Sequence, residues 1–107
     1  MLLNDGIFEG KRIVSTESVT AIHTTQISEE IMPGDQQWGL SVRIVTKPEY
    51  KNLPVGAYGW SGAYGTHFWI DPANKITAIY MKNSSHDGGS GAVTAANFEC
   101  DVTNSLV

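Results

Sequence analysis

The sequence predicts an α/β (α+β) fold in which an antiparallel sheet of three to four strands lies between an N-terminal helix and a C-terminal amphipathic helix. Apolar side chains alternate with a period of two from Trp38 to Ile44, as in a strand. A proline turn at residues 71–75 separates two apolar runs, and a stripe at helical spacing closes the chain. At 107 residues, with 41% hydrophobic and 17% charged residues, the composition is that of one globular domain.

The N-terminal third contains two helical signals. Residues 1–6 are typical of the last turn of a helix closed by a glycine. Because one turn is not stable alone, we expect residues 1–107 to be a single C-terminal segment of a longer domain; a start methionine with a frayed terminus is the alternative. Ser15 is expected to cap a helix from about residue 16 to 24, with Glu17 in its first turn.

The middle of the chain is expected to form the sheet. After the Trp38–Ile44 strand and a proline-containing loop, further strands are predicted at residues 57–62, 66–71 and 76–82. In the turn between the last two, Pro72 suits the fixed φ of its position and Asn74 tolerates a positive φ. The last strand is apolar on both faces, which predicts a place inside a sheet that is covered on both sides.

The C-terminal end has the pattern of an amphipathic helix that lies on the sheet. A glycine-rich loop over residues 83–91 precedes this helix, and Ser90 is its expected cap. Its apolar stripe follows three- and four-residue spacing and consists of Ala92, Ala95, Phe98, Val102 and Leu106.

Charge and residue types argue against several classes of function. The net charge of −4 and the pI near 5.1 argue against nucleic-acid binding, which needs basic clusters. No apolar run is long enough for a membrane span. Cys100 is the only cysteine, and no phosphate-loop or dinucleotide motif occurs, so we expect no intrachain disulfide and no cofactor.

The three histidines, His23, His67 and His86, lie in different elements without metal-ligand spacing. We therefore expect no metal site, and a surface or hydrogen-bonded structural role for each histidine. The first residues lack the pattern of a signal peptide, and a cell-envelope, secreted or cytoplasmic location stays open.

The most distinctive segment runs from Tyr58 to Pro72 and intersperses glycines among aromatic residues. Glycines at this spacing remove side chains where a ligand or another backbone approaches a strand closely. Beside bulky aromatic rings, the small triplet at its centre is typical of a strand that flanks a substrate.

The order of motifs in this chain resembles one family. The second half of the chain resembles the C-terminal part of the serine β-lactamase and penicillin-binding-protein superfamily, in its class C β-lactamase-related, esterase-like branch. The matching features are Trp60-Ser61-Gly62-Ala63, the 66–71 strand, the Asp71-Pro72 turn, the following apolar strand and the closing helix. Upstream, the family resemblance continues through Met1–Gly6, Gly10–Ser15 and Trp38-Gly39-Leu40. It covers nearly the whole chain and implies a partial β-lactamase/transpeptidase-like fold.

Members of that family place three motifs around the active site: Ser-x-x-Lys with the nucleophile, Tyr-x-Asn or Ser-x-Asn, and Lys-Thr-Gly on an edge strand. The resemblance puts Trp60-Ser61-Gly62 at the third motif. It implies that the substrate lies against Trp60, Ser61, Gly62 and Tyr64, and that the backbone N–H of Ala63 is one of two oxyanion-hole donors. Tryptophan in place of lysine resembles the esterase-like members and removes the cation that helps to hold a β-lactam carboxylate.

The other two motifs are missing. No serine is followed by lysine three positions later, and Tyr50-Lys51-Asn52, which matches Tyr-x-Asn, stands at the wrong place in the order of motifs. We therefore expect a segment of a serine hydrolase that acts on an ester, amide or β-lactam in the full-length parent and is inactive alone. Without the missing N-terminal part of the domain, it should expose apolar surface and self-associate.

Two alternatives stay open. A self-contained binding module would use an aromatic platform for sugars or peptides formed by Trp38, Tyr58, Trp60, Tyr64 and Trp69. A noncatalytic envelope protein would keep the fold without the chemistry. Rings on one exposed face would favour the module, whereas Trp60 beside an open strand edge and a buried Trp38 would favour the hydrolase segment.

Overall fold

The computed structural model describes residues 1–106 and confirms the α+β class. The main sheet is antiparallel, has five strands in the order β3-β4-β5-β6-β7, and pairs each strand with its neighbour in sequence. These strands are β3 (Gln36–Trp38), β4 (Arg43–Val45), β5 (Tyr58–Ser61), β6 (His67–Asp71) and β7 (Ile76–Tyr80). A separate hairpin joins β1 (Ile7–Phe8) and β2 (Lys11–Arg12), and the two helices are α1 (Thr16–Ile22) and α2 (Val93–Asn104).

The main sheet has more strands than expected because the Trp38–Ile44 run is not one strand. The chain reverses between β3 and β4, with Ser41 at a φ of 64° and a hydrogen bond from Gly39 N to Val42 O of 2.9 Å. Antiparallel pairing then places Trp38 opposite Arg43. In the sequence, apolar residues alternate without a break through this reversal, although Trp38 and Ile44 lie on opposite faces of the sheet. The sequence pattern therefore does not reveal the turn.

The N-terminal elements largely follow their local signals. Residues Leu2–Asn4 form a single 3-10 turn, which ends where Asp5 and Gly6 take positive φ values of 49° and 91°. The predicted cap of α1 is confirmed, because the Ser15 hydroxyl accepts a hydrogen bond of 3.1 Å from the backbone N–H of Ser18. The helix ends at Ile22, two residues before the predicted end.

The hairpin between β6 and β7 is confirmed, but its role in the sheet differs from the prediction. The Asp71 carboxylate accepts from the backbone and side-chain N–H groups of Asn74 at 3.1 and 2.6 Å, and the residue with positive φ is Lys75, at 57°. β7 is the last strand of the sheet, and Ile79 is 61% exposed. The prediction of a strand covered on both faces is therefore wrong for the part of the chain that the structure describes, because only α2 packs against this end of the sheet.

Helix α2 covers one face of the sheet, as predicted. The Phe98 ring lies 5.0 Å from that of Trp69 and 5.4 Å from that of Tyr80. The apolar cluster under the helix contains Val45, Leu53, Ala57, Trp69 and Ala78, with Phe98 and Val102 packed on it. A second cluster on the opposite face contains Val42, Ile44, Tyr58 and Ile70, with Leu2, Leu3 and Ile22 against it.

The start of α2 is capped by a residue that the sequence pattern did not indicate. The Asp87 carboxylate accepts from the backbone N–H groups of Val93 and Thr94 at 2.7 and 2.9 Å, and from the Thr94 hydroxyl. The predicted cap at Ser90 is wrong. Ala92 occupies the capping position, and the side chain of Asp87, further upstream in the loop, accepts the hydrogen bonds of the helix end. Among residues 1–106 no helix has the length and apolarity needed to span a membrane.

Candidate functional site

The Trp60-Ser61-Gly62 triplet lies at an open strand edge. Within β5, only Tyr58 and Gly59 pair with β4. The last two residues of β5 therefore extend beyond the end of β4. On its other side β5 pairs with β6 along its whole length, with Trp60 opposite Phe68 and Ser61 opposite His67. Of the two conditions that favour the hydrolase segment, the open edge beside Trp60 is met, whereas Trp38 is only half-buried.

The glycines around the triplet serve close approach between backbones. A Cβ on Gly59 would lie 2.0 Å from the carbonyl oxygen of Phe68 and 2.7 Å from the Cα of Trp69, both on β6. Gly65, with a φ of 94°, closes the β5–β6 turn through a hydrogen bond of 2.9 Å from its N–H to the carbonyl of Gly62. A glycine is therefore required at position 59 because the backbone of β6 lies close to it, and not because a ligand does.

Ser61 and Trp60 point in opposite directions, as alternate residues of a strand do. The hydroxyl of Ser61 lies on the face covered by α2, where it is 2.8 Å from Nδ1 of His67. The other ring nitrogen of His67, Nε2, lies 2.9 Å from Oε1 of Glu99 on α2. All three residues are buried, with exposed fractions of 8% for Ser61, 3% for His67 and 1% for Glu99.

Glu99 is the centre of a larger hydrogen-bonded cluster. Its Oε2 accepts from the Tyr50 hydroxyl at 2.5 Å and from the side-chain amide of Asn52 at 3.2 Å. The guanidinium of Arg43 lies 3.6 Å from Oε1. Burial would raise the pKa of Glu99, but the hydrogen bonds from His67, Tyr50 and Asn52 outweigh burial and hold the pKa below its ordinary value.

Tyr50 stays protonated next to this carboxylate. Burial, followed by the hydrogen bond to Glu99 and its negative charge, raises the pKa of Tyr50 to about 12. The Tyr50 O–H is therefore a fixed donor to Glu99 throughout the neutral range. The tripeptide Tyr50-Lys51-Asn52, which matches Tyr-x-Asn at the wrong place in the order of motifs, supplies two of the donors that surround Glu99.

The partners of His67 assign its tautomer. An ionised carboxylate only accepts hydrogen bonds, so Nε2 of a neutral His67 carries the proton and donates to Glu99. Nδ1 is then unprotonated and accepts from the Ser61 hydroxyl, which retains its two lone pairs for further donors. The hydrogen-bonded role expected for His67 is confirmed.

A serine, a histidine and a carboxylate in this order are also the arrangement that activates nucleophiles in hydrolases. In this chain the serine hydroxyl lies under α2, and its 8% exposure leaves little access for a substrate carbonyl. The arrangement is therefore better suited to holding the Ser61 side chain in one orientation than to attacking a substrate.

Sequence reasoning missed Glu99 although a signal was present. Glu99 stands four residues after Ala95 and three before Val102, which are both on the stripe that faces the sheet. A carboxylate at such a position is buried when the helix docks, and a buried carboxylate needs partners. Its partners come from three distant segments, so their identity had no local signal.

Ala63 and Tyr64 lie in the exposed turn between β5 and β6. The N–H of Ala63 has no hydrogen-bond acceptor within the described chain. Tyr64 is 66% exposed, and its carbonyl accepts from the N–H of Ser84 at 2.9 Å. Beside this turn, an apolar cleft of about 350 Å³ is bordered by Trp60, Phe68, Ile79 and Met81.

The five rings considered for an aromatic platform do not share one exposed face. Tyr58 and Trp69 are both 2% exposed and belong to the two different apolar clusters of the sheet. Only Trp38 and Trp60 contact each other, edge to face, with 4.4 Å between ring centroids. A five-ring platform for sugars or peptides is therefore absent from the described residues.

Residues 1–106 contain no group of three His, Cys, Asp or Glu side chains arranged to hold a metal ion. The ring of His23 instead stacks on that of Tyr58, with 4.9 Å between centroids.

Comparison with known proteins gives three related results. Residues 12–98 match the Beta-lactamase family. Two Mycobacterium tuberculosis relatives, the uncharacterized protein MT1414 and protein Rv1367c, are each 33% identical to the chain, over 76% of it and 24% of their own length. A crystal structure of a penicillin-binding protein homolog from Caulobacter crescentus superposes with a TM-score of 0.69 at 17% identity, over 99% of this chain and 29% of that one. The chain thus spans about a quarter of the length of the relatives that it matches.

Proposed function

Since this chain belongs to the β-lactamase family, we propose that it is the C-terminal segment of a serine hydrolase domain and supplies one wall of the acyl-transfer site. In this proposal the substrate is an ester, amide or β-lactam. The Ser-x-x-Lys nucleophile and the Tyr-x-Asn element lie in the rest of the full-length protein, and residues 1–107 are inactive without them.

The observation that carries the proposal is the open edge at Trp60-Ser61-Gly62. Beyond the end of β4, Trp60 and Ser61 are unpaired on the side away from β6, and a substrate can pair there. Gly62 is already engaged within the chain, because its N–H donates to the carbonyl of Thr66 and its carbonyl accepts from Gly65 and Gly89. The turn that follows offers the N–H of Ala63, which has no acceptor among residues 1–106. An unpaired strand edge followed by a free N–H suits an extended acyl group whose carbonyl oxygen ends at that N–H.

Each residue at the edge has a distinct role in the proposed site. Ala63 N–H stabilises the oxyanion of the tetrahedral intermediate, a contribution of about 2.7–4 kcal/mol to the transition state for one such donor. The Trp60 ring forms an apolar wall for the substrate. Ser61, held by His67, fixes the end of β5, so that the edge and the donor keep one geometry.

The substrate-facing role of Ser61 is narrower than the family resemblance implies. Its hydroxyl is directed toward His67 and Glu99 and away from the Trp60 side of the strand. We therefore propose Ser61 as a positioning residue, with its backbone, rather than its hydroxyl, next to the substrate.

The proposal is tested first on the 107-residue chain. Purified chain, incubated with a chromogenic ester and a chromogenic β-lactam, should give no turnover above the rate of a Ser61→Ala control. Turnover that disappears in Ser61→Ala would contradict the proposal and identify Ser61, with His67 as base, as a nucleophile in its own right.

The oxyanion role is tested in the full-length protein. Ala63→Pro removes the N–H, and kcat should fall about 10²–10³-fold. Ala63→Gly keeps the N–H and should retain most of the activity. If both variants remain folded and have equal kcat values, Ala63 is not an oxyanion donor.

A further inference from the structure

We propose that Arg43, together with the paired indoles of Trp38 and Trp60, binds the carboxylate of a small ligand that has an apolar body. These three side chains line a cleft of about 270 Å³, which lies between the loop before β3 and the open edge of β5. The cleft is on the other side of Trp60 from the apolar cleft bordered by Phe68.

The guanidinium of Arg43 has donors to spare. An arginine side chain carries five N–H donors in a planar fork. Its ion-pair partner, Oε1 of Glu99, is 3.6 Å from Nη2, and the guanidinium makes no hydrogen bond to any residue that the structure describes. The side chain is 18% exposed, so a ligand can reach it. A planar cation with free donors matches a carboxylate, which accepts two parallel hydrogen bonds from it.

Two rings hold the guanidinium in place. Its central carbon lies 5.6 Å from the centroid of the Tyr50 ring and 5.9 Å from that of Trp60. Both distances are within the range of a cation–π contact. Because the fork is already oriented, binding a carboxylate loses little side-chain entropy.

Glu99 does not occupy the donors of Arg43. Oε1 of Glu99 already accepts from His67, and Oε2 accepts from Tyr50 and Asn52. The 3.6 Å from Oε1 to Nη2 of Arg43 is longer than a hydrogen bond. The charge of Arg43 still offsets that of Glu99. Asp35 also lines the cleft, and its charge disfavours a second negative group on the ligand, which favours a monocarboxylate.

The two indoles define the rest of the ligand. Trp38 and Trp60 meet edge to face, with 4.4 Å between centroids, and form a continuous apolar wall next to the guanidinium. Such a wall suits an aryl or alkyl group joined to the carboxylate by a short linker.

Carboxylate binding by Arg43 does not depend on the proposed function. Only the further statement that the bound carboxylate belongs to a substrate rests on the proposed function. Trp60 replaces the lysine of the third motif, and Arg43 on the neighbouring strand brings a cation to the same triplet. The substrates would then be esters or amides that carry a free carboxylate.

The test uses the 107-residue chain with 3-phenylpropionate and its neutral analogue 3-phenylpropionamide, followed by tryptophan fluorescence and by NMR of the arginine side-chain N–H groups. The acid should bind saturably, shift the Arg43 signal, and bind at least about tenfold more tightly than the amide, as expected when a charge-assisted hydrogen bond is lost. Equal affinities for acid and amide, or an Arg43 signal unmoved at saturating acid, would overturn the proposal.

Variants separate charge from shape. Arg43→Met should abolish the preference for the acid, and Arg43→Lys should retain part of it, because lysine keeps the charge but not the fork. Lys82→Met is the matched control, since Lys82 donates to the carbonyls of His86 and Asp87 and should leave binding unchanged. If Arg43→Met fails to fold, Arg43→Lys and the acid–amide comparison decide the question. Because no turnover is measured, a negative result leaves the activity tests of the proposed function unaffected.

Discussion

Nε2 of His67 lies 2.9 Å from Oε1 of Glu99, and this contact ties the central sheet to the helix that covers it. On its other ring nitrogen the same histidine holds Ser61, the middle residue of the open-edge triplet. The position of this end of β5 therefore depends on a carboxylate 38 residues further along the chain than Ser61, on α2.

Glu99→Gln should destabilise the fold. The variant keeps the volume of the side chain but replaces one acceptor oxygen by a donor, which faces either His67 or the Tyr50 and Asn52 donors. A buried donor without an acceptor costs about 1–3 kcal/mol of unfolding free energy, measurable by urea denaturation. The matched control is Asp101→Asn on the exposed face of α2, which should change stability by less than about 0.5 kcal/mol. Equal effects of the two variants would mean that the Glu99 cluster contributes nothing specific.

Acid should weaken the fold through two carboxyl groups. The pKa of Glu99 is held below its ordinary 4.5, and hydrogen bonds from Thr94 lower the pKa of Asp87 from 3.8 to about 2. A group with a lowered folded-state pKa stabilises the fold above its unfolded pKa and loses this contribution as pH falls through the folded one. We expect the melting temperature to be level above about pH 5 and to decline from there toward pH 2.

The double variant Glu99→Gln, Asp87→Asn tests this assignment. It should start from a lower melting temperature at neutral pH and lose much less of it in acid, because neither replacement titrates. A decline as steep as that of the unmodified chain would place the acid sensitivity elsewhere.

Gly59→Ala should be far more damaging than Gly62→Ala. The new methyl group at position 59 would lie 2.0 Å from a backbone oxygen of β6, whereas at position 62 the nearest atom is the Thr66 hydroxyl oxygen at 2.9 Å, which can rotate away. Overpacking against a backbone costs about 1–3 kcal/mol or more. Circular dichroism melts of both variants make the comparison, and a Gly59→Ala melt that matches the unmodified chain would show that β5 and β6 can separate freely.

The cap of α2 gives a second matched pair. Asp87→Ala removes the acceptor of the Val93 and Thr94 N–H groups and should lower the melting temperature, as the loss of other caps does. Ser90→Ala should cost less than about 0.5 kcal/mol, because the capping acceptor is not there. Hydrogen exchange at Val93 and Thr94 should accelerate in the first variant only. Faster exchange in both variants would argue for a general loosening of the loop.

The uncovered sheet face should promote self-association. Ile79 and Met81 are 61% and 77% exposed, beside Phe68 on the face that α2 does not cover. We expect the chain to bind a hydrophobic dye and to form dimers in sedimentation, and Ile79→Ser should reduce both. Ile31→Ser is the control, since Ile31 is 78% exposed and lies in the loop before β3, outside the β6–β7 hairpin. A monomeric chain without dye response would contradict the expectation.

Local features of the fold were predictable because they depend on residues close in sequence. Ser15 caps α1 through an N–H three residues away, and the Asp71–Asn74 turn closes on itself. The reversal between β3 and β4 escaped prediction because alternation persists through it. The exposed position of β7 was not predicted either. An apolar strand indicates that both faces are covered, but it does not indicate whether the covering residues are among those that the structure describes.

From the residues alone, the fold class and the family resemblance could be predicted, because periodicity, turn chemistry and short motifs are properties of neighbouring residues. The direction of the Ser61 hydroxyl, the burial of Glu99 and the free donors of Arg43 became visible only in three dimensions. Tyr50 meets Glu99 across 49 residues and His67 meets it across 32. Contacts of that range are formed by the packing of the helix on the sheet, and that packing depends on the whole chain at once.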